Sequence, residues 1–255
     1  MNILALMRAS FAAAAVSAAL GLGHPAAAGP VGQPLGLGVV IDDAEPFGLI
    51  RAGVAAGPLR TKWLGLARQL EDERVQLALC DGDRDRCVSP AALRLLAIVD
   101  QGRAREGRAR LGEINRAINL AIRPMSDLAQ YGKTDVWASP LVTFASQAGD
   151  CEDYAIAKFV ALRLAGVASQ DLRIVIVRDT ARDEDHAVVA ARLDGRWLLL
   201  DNQRMAMVQD GDARQVQPRF VMDDTGISML QASAVMAEVS SPPRGGHAPG
   251  SVAAN

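Results

Sequence analysis

Apolar residues return every three or four positions over 59–79, placing Trp63, Leu66, Leu70 and Leu77 on one face, a spacing that predicts a helix. After a polar break, Ser89-Pro90 supplies an N-cap followed by proline in the first turn, so a second helix starts there and carries Leu93, Leu96 and Ile98. Helical spacing resumes over 108–122 and ends at Pro124, whose ring cannot continue it. Residues 131–140 read as a loop, and Ser139-Pro140 opens a short helix that Gly149-Asp150 breaks. A strong helix begins at Cys151, with Asp150 as its N-cap and Gly166 as its terminator. From there the pattern changes to strand-like runs over 172–177, 186–193, 196–200 and 219–222.

Both ends of the chain stand apart from this pattern. The positive charge near Arg8 precedes an Ala-rich apolar run over 9–22, and Ala26-Ala27-Ala28 offers the small residues that a signal peptidase requires. We therefore expect a signal peptide over 1–28 and export to the periplasm. The run is short of a membrane-spanning length, and no later apolar stretch reaches one. Residues 29–45, rich in Gly and Pro, read as a flexible linker, and 236–255 read as a disordered tail, which leaves 46–235 for one domain. A formal net charge of −2 gives no basic excess to neutralise phosphates, so nucleic acid is excluded as a partner. The arginines over 103–110 are diluted by Glu106 and Glu113 and read as a solvated helix face.

Export changes how the cysteines read. Past the signal peptide there are three, Cys80, Cys87 and Cys151, an odd number for an oxidising compartment. Cys80 and Cys87 flank the turn-prone stretch Asp81-Gly82-Asp83-Arg84-Asp85-Arg86, a loop short enough to close by a disulfide. Its entropic contribution would be about 2.5 kcal/mol. Cys151 is then left as a free thiol at the first turn of a helix, where unpaired N–H groups and the helix dipole favour thiolate and can receive an oxyanion. Gln147, just upstream, is a candidate side-chain donor to that oxyanion.

Of three histidines, His24 falls in the signal peptide and His247 in the tail, so His186 is the one base available to Cys151. Asp194-Gly195 between two apolar runs signals a two-residue hairpin that pairs Leu193 with Arg196 and sets Asp201 opposite Val188. Strand side chains alternate faces, so His186 and Asp201 become diagonal neighbours on one face, about 7 Å apart at Cβ. A nucleophile, a base and an orienting carboxylate follow: Cys151, His186, Asp201. Asp150, Glu152 and Asp153 oppose a thiolate unless something positive offsets them. They complement the helix dipole, and their hard oxygens equally suit Ca²⁺.

Four stretches carry a family resemblance: Asp135-Val136-Trp137-Ala138-Ser139-Pro140, the run from Gly149 through Cys151 to Lys158, Asp185-His186-Ala187-Val188, and Leu200-Asp201-Asn202. Together they resemble the bacterial transglutaminase-like cysteine proteinases, the family of the LapG-type periplasmic adhesin-releasing proteases. The resemblance spans roughly 46–220, and the stretch around Cys151 is its most specific part. It implies an α+β fold with a papain/transglutaminase-like core, the nucleophile helix packed on an antiparallel sheet, and extra helices N-terminal to it. It also implies Ca²⁺ dependence, with the flanking acids Asp150 and Glu152 as ligands. Relatives often carry a Glu two residues after the Trp-x-x-Pro motif, where this chain has Val142. The expected activity is a periplasmic cysteine endopeptidase that cleaves an exported protein such as a surface adhesin. The same triad also serves cell-wall peptide hydrolysis or transglutaminase-type acyl transfer, and a non-catalytic periplasmic binding domain is the remaining reading. Partners implied are a protein substrate in the periplasm or outer membrane and an inner-membrane cyclic-di-GMP receptor.

Overall fold

The computed structural model describes residues 44–233. The expected signal peptide, nearly all of the expected linker and the expected tail lie outside the described residues.

Among the described residues, six α-helices and nine strands follow in order. Strand β1 (Ile50–Gly53) precedes the long helix α1 (Pro58–Gly82), which buries Trp63, Leu66, Leu77 and Cys80. A disulfide joins Cys80 to Cys87 across the turn that follows, and Cys151 is free. Helix α2 (Pro90–Arg103) starts as its sequence requires, with the Ser89 hydroxyl accepting the Ala92 N–H. Helix α3 (Gly107–Ala121) comes next, then the two-residue strand β2 (Arg123–Pro124) and helix α4 (Asp127–Tyr131). Helix α5 (Pro140–Ser146) leads through strand β3 (Ala148–Gly149) into α6 (Cys151–Leu164). The remaining strands are β4 (Leu172–Asp179), β5 (Glu184–Leu193), β6 (Arg196–Leu200), β7 (Val208–Gln209), β8 (Val216–Asp223) and β9 (Gly226–Gln231).

Seven of these strands form one antiparallel sheet in the order β1-β9-β8-β4-β5-β6-β7. Helix α6 packs across β4 and β5 and is buried on almost every side, as its mostly apolar sequence requires. Ile156, Leu162, Leu172, Ile174, Ala187 and Val189 share its core with α2 and α3. Alternate residues of the same strands, including Val175, Val188 and Ala190, join Trp197 of β6 in a smaller cluster on the other face. The architecture is α+β, with the helix that starts at Cys151 packed on an antiparallel sheet.

Two expectations need revision. The linker does not run to residue 45: the Trp197 indole N–H donates to the Ala44 carbonyl at 3.0 Å, and Glu45 is buried in ion pairs with Arg51 and Arg173, each at 2.7 Å. Asp150 occupies the N-cap position of α6 with extended backbone, yet its side chain makes no capping hydrogen bond. That carboxylate turns instead toward other acids.

Candidate active site

The approach to Cys151 is tied down from both sides. The Arg123 N–H donates to the Gln147 carbonyl at 2.9 Å and the Met125 N–H to the Gly149 carbonyl at 3.0 Å, so the end of α3 and the strand before α6 run together. Gly149 is required by close packing, because a Cβ there would lie 2.5 Å from Asp153 Oδ2. Glu73 of α1 accepts from the Ser139 hydroxyl and, at 3.0 Å, from the Leu141 N–H, which brings a carboxylate to the start of α5. Val142, the position where relatives often carry Glu, points out to solvent.

Cys151 opens α6, where three main-chain N–H groups lack helical partners. Its thiol donates to Glu152 Oε2 at 2.9 Å, and the Ala187 N–H on β5 lies close enough to the sulfur to favour the thiolate. Burial, then the neighbouring Glu152 charge, push the thiol well above its ordinary pKa; the Ala187 contact pulls the other way. The nucleophile helix and the histidine strand therefore meet at Cys151 and the residue next to His186.

The hairpin behaves as its sequence predicts. Asp194 and Gly195 both have positive φ, 51° and 74°, as the turn demands, and Leu193 pairs with Arg196 while Val189 pairs with Leu200. Continued by one residue, this register sets Asp201 opposite Val188 and makes the buried His186 its diagonal neighbour, with Nε2 2.9 Å from Oδ1. Asp201 Oδ1 also accepts the Gln203 N–H at 3.0 Å. Burial pushes the Asp201 carboxyl up, but His186, the Gln203 N–H and the Lys158 charge together outweigh it and hold the group below its usual range. With Nε2 engaged by a carboxylate, that nitrogen carries the ring hydrogen and Nδ1 is left as the basic one.

Asp150 lies with Asp127 of α4 and Asp153 of α6, carboxylate oxygens of all three falling within 4.8 Å of one another. Glu152, the other acid expected as a ligand, stands outside this trio with its carboxylate against the Cys151 thiol and Asp150. Asp153 Oδ1 accepts the Ala138 N–H at 2.8 Å and Asp127 Oδ2 accepts the Val136 N–H, so the Asp135–Pro140 loop is hung from the cluster. Asp150 Oδ1 and Asp153 Oδ2 are buried with no hydrogen-bond partner. Burial, then like charge, raise Asp150 to about 8; burial raises Asp153 to about 7. Three converging carboxylates with spare oxygens fit a hard cation such as Ca²⁺.

Sequence reasoning missed Asp127 and Lys158. Lys158, two turns beyond Cys151 on α6, is fully buried with no hydrogen-bond partner for Nζ, and burial draws it down to about 7 against the opposing pull of Asp201. Neither residue had a spacing signal, though Lys158 closes the run that carried the family resemblance.

Comparison with known proteins bears on the fold and the family. No curated protein matches the chain. Among solved structures, Legionella pneumophila LapG is 20% identical with a TM-score of 0.51, over 60% of this chain and 87% of that one. LapG treated with EGTA gives 20% and 0.52, over 61% and 86%. Calcium-bound LapG gives 22% and 0.49, over 55% and 77%. At this identity the likeness speaks for the fold. The family model of the bacterial transglutaminase-like cysteine proteinases matches residues 77–223, from late in α1 to the last residue of β8. Since that span takes in more than half of the chain and the whole of α6 and its sheet partners β4 and β5, the chain belongs to this family and is a transglutaminase-like cysteine peptidase.

Proposed function

We propose that the chain is a periplasmic cysteine endopeptidase that cleaves an exported protein, a surface adhesin being the substrate class in view, through Cys151, His186 and Asp201. The observation that carries this reading is the buried His186–Asp201 pair at 2.9 Å, set on the strand whose next residue reaches the lone free thiol of the described residues.

His186 Nδ1 takes the proton of Cys151, and the thiolate attacks the scissile carbonyl carbon. N–H groups at the start of α6 hold the oxygen as it becomes an oxyanion. Asp201 stabilises the imidazolium, which then protonates the departing amine and leaves a thioester on Cys151. His186 next deprotonates a water that attacks the thioester, and the returning proton frees the thiol.

Asp127, Asp150 and Asp153 are the proposed Ca²⁺ ligands. Such an ion supplies positive charge beside the nucleophile and fixes the loop that precedes it. An inner-membrane receptor is the proposed regulator, on the family resemblance.

Incubating the purified enzyme with proteins exported by the same cell, and reading new N-termini by mass spectrometry, tests the proposal. New termini should appear with wild type and be missing with Cys151→Ala. A Cys151→Ala protein that still generates them rules the nucleophile out.

A further inference from the structure

Asp201 stands one residue beyond the end of β6, in a segment that has left the sheet and rejoins it at β7. Something other than strand pairing has to fix it. Side chains from a single face of α3 do so. Asn119 Nδ2 donates to the Asp201 carbonyl at 2.9 Å and to the Arg204 carbonyl at 3.3 Å. Asn115 Nδ2 donates to the carbonyls of Arg204 at 3.3 Å and Met205 at 3.2 Å. Arg108 Nη2 donates to the Met207 carbonyl at 3.3 Å.

As numbers rise along the helix they fall along the segment, so the two run antiparallel in fixed register. The spacing from 108 to 115 to 119 keeps the three donors on one face. Eleven helical residues rise about 16 Å, which lies within the roughly 20 Å that six residues can reach, and the turn at Asn202–Gln203 and the bend at Met205–Ala206 shorten the segment from that limit. Gly112 lies between the donors, where a Cβ would meet Met207 Cε at 3.5 Å; the segment packs directly on the helix.

The arrangement is costly for a mere packing contact. Asn115 is fully buried, and Oδ1 of both Asn115 and Asn119 is buried without a partner, a desolvation cost that an apolar side chain would avoid. What the carboxamides gain is a defined position for the Asp201 main chain. That main chain in turn sets the carboxylate, since Oδ1 accepts both the Gln203 N–H and His186.

From this we infer that Asn119, backed by Asn115, is a positioning residue that holds Asp201 in register with His186 from a helix outside the sheet. The inference rests on the triad reading. It makes α3 part of the catalytic apparatus without touching substrate, and Asn119 the residue through which motion of α3 would detune the base.

The test is the rate at which iodoacetamide alkylates Cys151 in the full chain at pH 6.5, where reactivity depends on an intact cysteine–histidine–carboxylate set. Asn119→Ala should slow alkylation about 10- to 100-fold, the scale set by a displacement of about 1 Å at a reacting group. Asp201→Ala should slow it at least as much. In the Asp201→Ala background, Asn119→Ala should add less than about twofold. Were Asn119→Ala to fail to fold, Asn119→Asp, equal in size but lacking the donor, is read in its place. Wild-type reactivity in the Asn119 variant, with Asp201→Ala slow, overturns the inference and spares the triad. Equal slowing in both backgrounds also overturns it, because the effect would then bypass Asp201. Wild-type reactivity in Asp201→Ala overturns the triad reading and this inference with it.

Discussion

The acidic trio offers a prediction in which one substitution has opposite consequences in two conditions. Oxygens of Asp127, Asp150 and Asp153 lie within 4.8 Å of one another, and two unit charges at that distance repel by about 3.5 kcal/mol at an effective dielectric of 20. Fully ionised, the three pairs would cost about 10 kcal/mol, comparable to the whole stability of a domain. In the metal-free protein the relief comes from protons. Burial and like charge raise Asp150 to about 8, and burial raises Asp153 to about 7, both from an ordinary value near 4.

The sign of the pH dependence follows. A carboxyl whose folded pKa is raised keeps its proton after the unfolded chain has released it. Its contribution is complete below about pH 4 and is lost as pH rises to between 7 and 8. In excess chelator, the melting temperature should therefore fall across this interval. Calcium at a hundred times its dissociation constant would add about 2.7 kcal/mol, or about 5–10 °C for a domain of this size, and flatten the profile. Asp150→Asn removes two of the three repulsive pairs together with one ligand. It should melt higher than wild type in chelator at pH 7.5 and gain little from calcium. Differential scanning calorimetry at several pH values, with EDTA or CaCl₂, measures both effects. A wild-type melting curve indifferent to calcium, with a flat profile in chelator, would refute the reasoning and return these acids to the helix dipole.

Other consequences are simpler to state. Cys151→Ala and His186→Ala should abolish cleavage of exported protein without loss of fold, and Asp201→Asn should lower its rate about 10³- to 10⁴-fold by removing the imidazolium partner; circular dichroism with the proteolysis assay decides. Reducing the Cys80–Cys87 bond should lower the melting temperature by about 5–10 °C, from the loss of about 2.5 kcal/mol in loop-closure entropy, and a non-reduced digest should recover that pair with Cys151 free. Lys158, drawn down by burial to about 7, binds its proton less readily folded than unfolded, so wild type should gain stability from about pH 7 to about pH 10. Lys158→Met should lack that rise and exceed wild type at pH 6, as chemical denaturation at the two ends of the range will show.

What was legible in the sequence was local, or was reached by elimination. The His186–Asp201 pair needed only the period of a strand and the left-handed preference of Asp194-Gly195, both contained in one hairpin. The start of α2 needed only Ser89-Pro90. The residues that escaped are those whose partners come from far along the chain. Asp127 joins Asp150 because β2 pairs with β3, two-residue strands too short to leave a pattern. Glu45 was absorbed into a Gly- and Pro-rich stretch, although Arg51, Arg173 and Asp223 surround it from three different strands. Strands β1 and β9 pair only with each other and with β8 at the sheet edge, and β1 carries no alternation of buried and exposed positions that a period-two search would catch. Asn115 and Asn119 are the most instructive case. On α3 they carry no spacing signal, and the carbonyls they bind come within reach only once the segment after β6 is laid against that helix. The proposed nucleophile and base are thus written in short motifs, while the residues inferred to hold them in register are dispersed over the helices that precede them. A substitution outside every motif, such as Asn119→Ala, is for that reason expected to weaken the site, though less than one at the proposed triad itself.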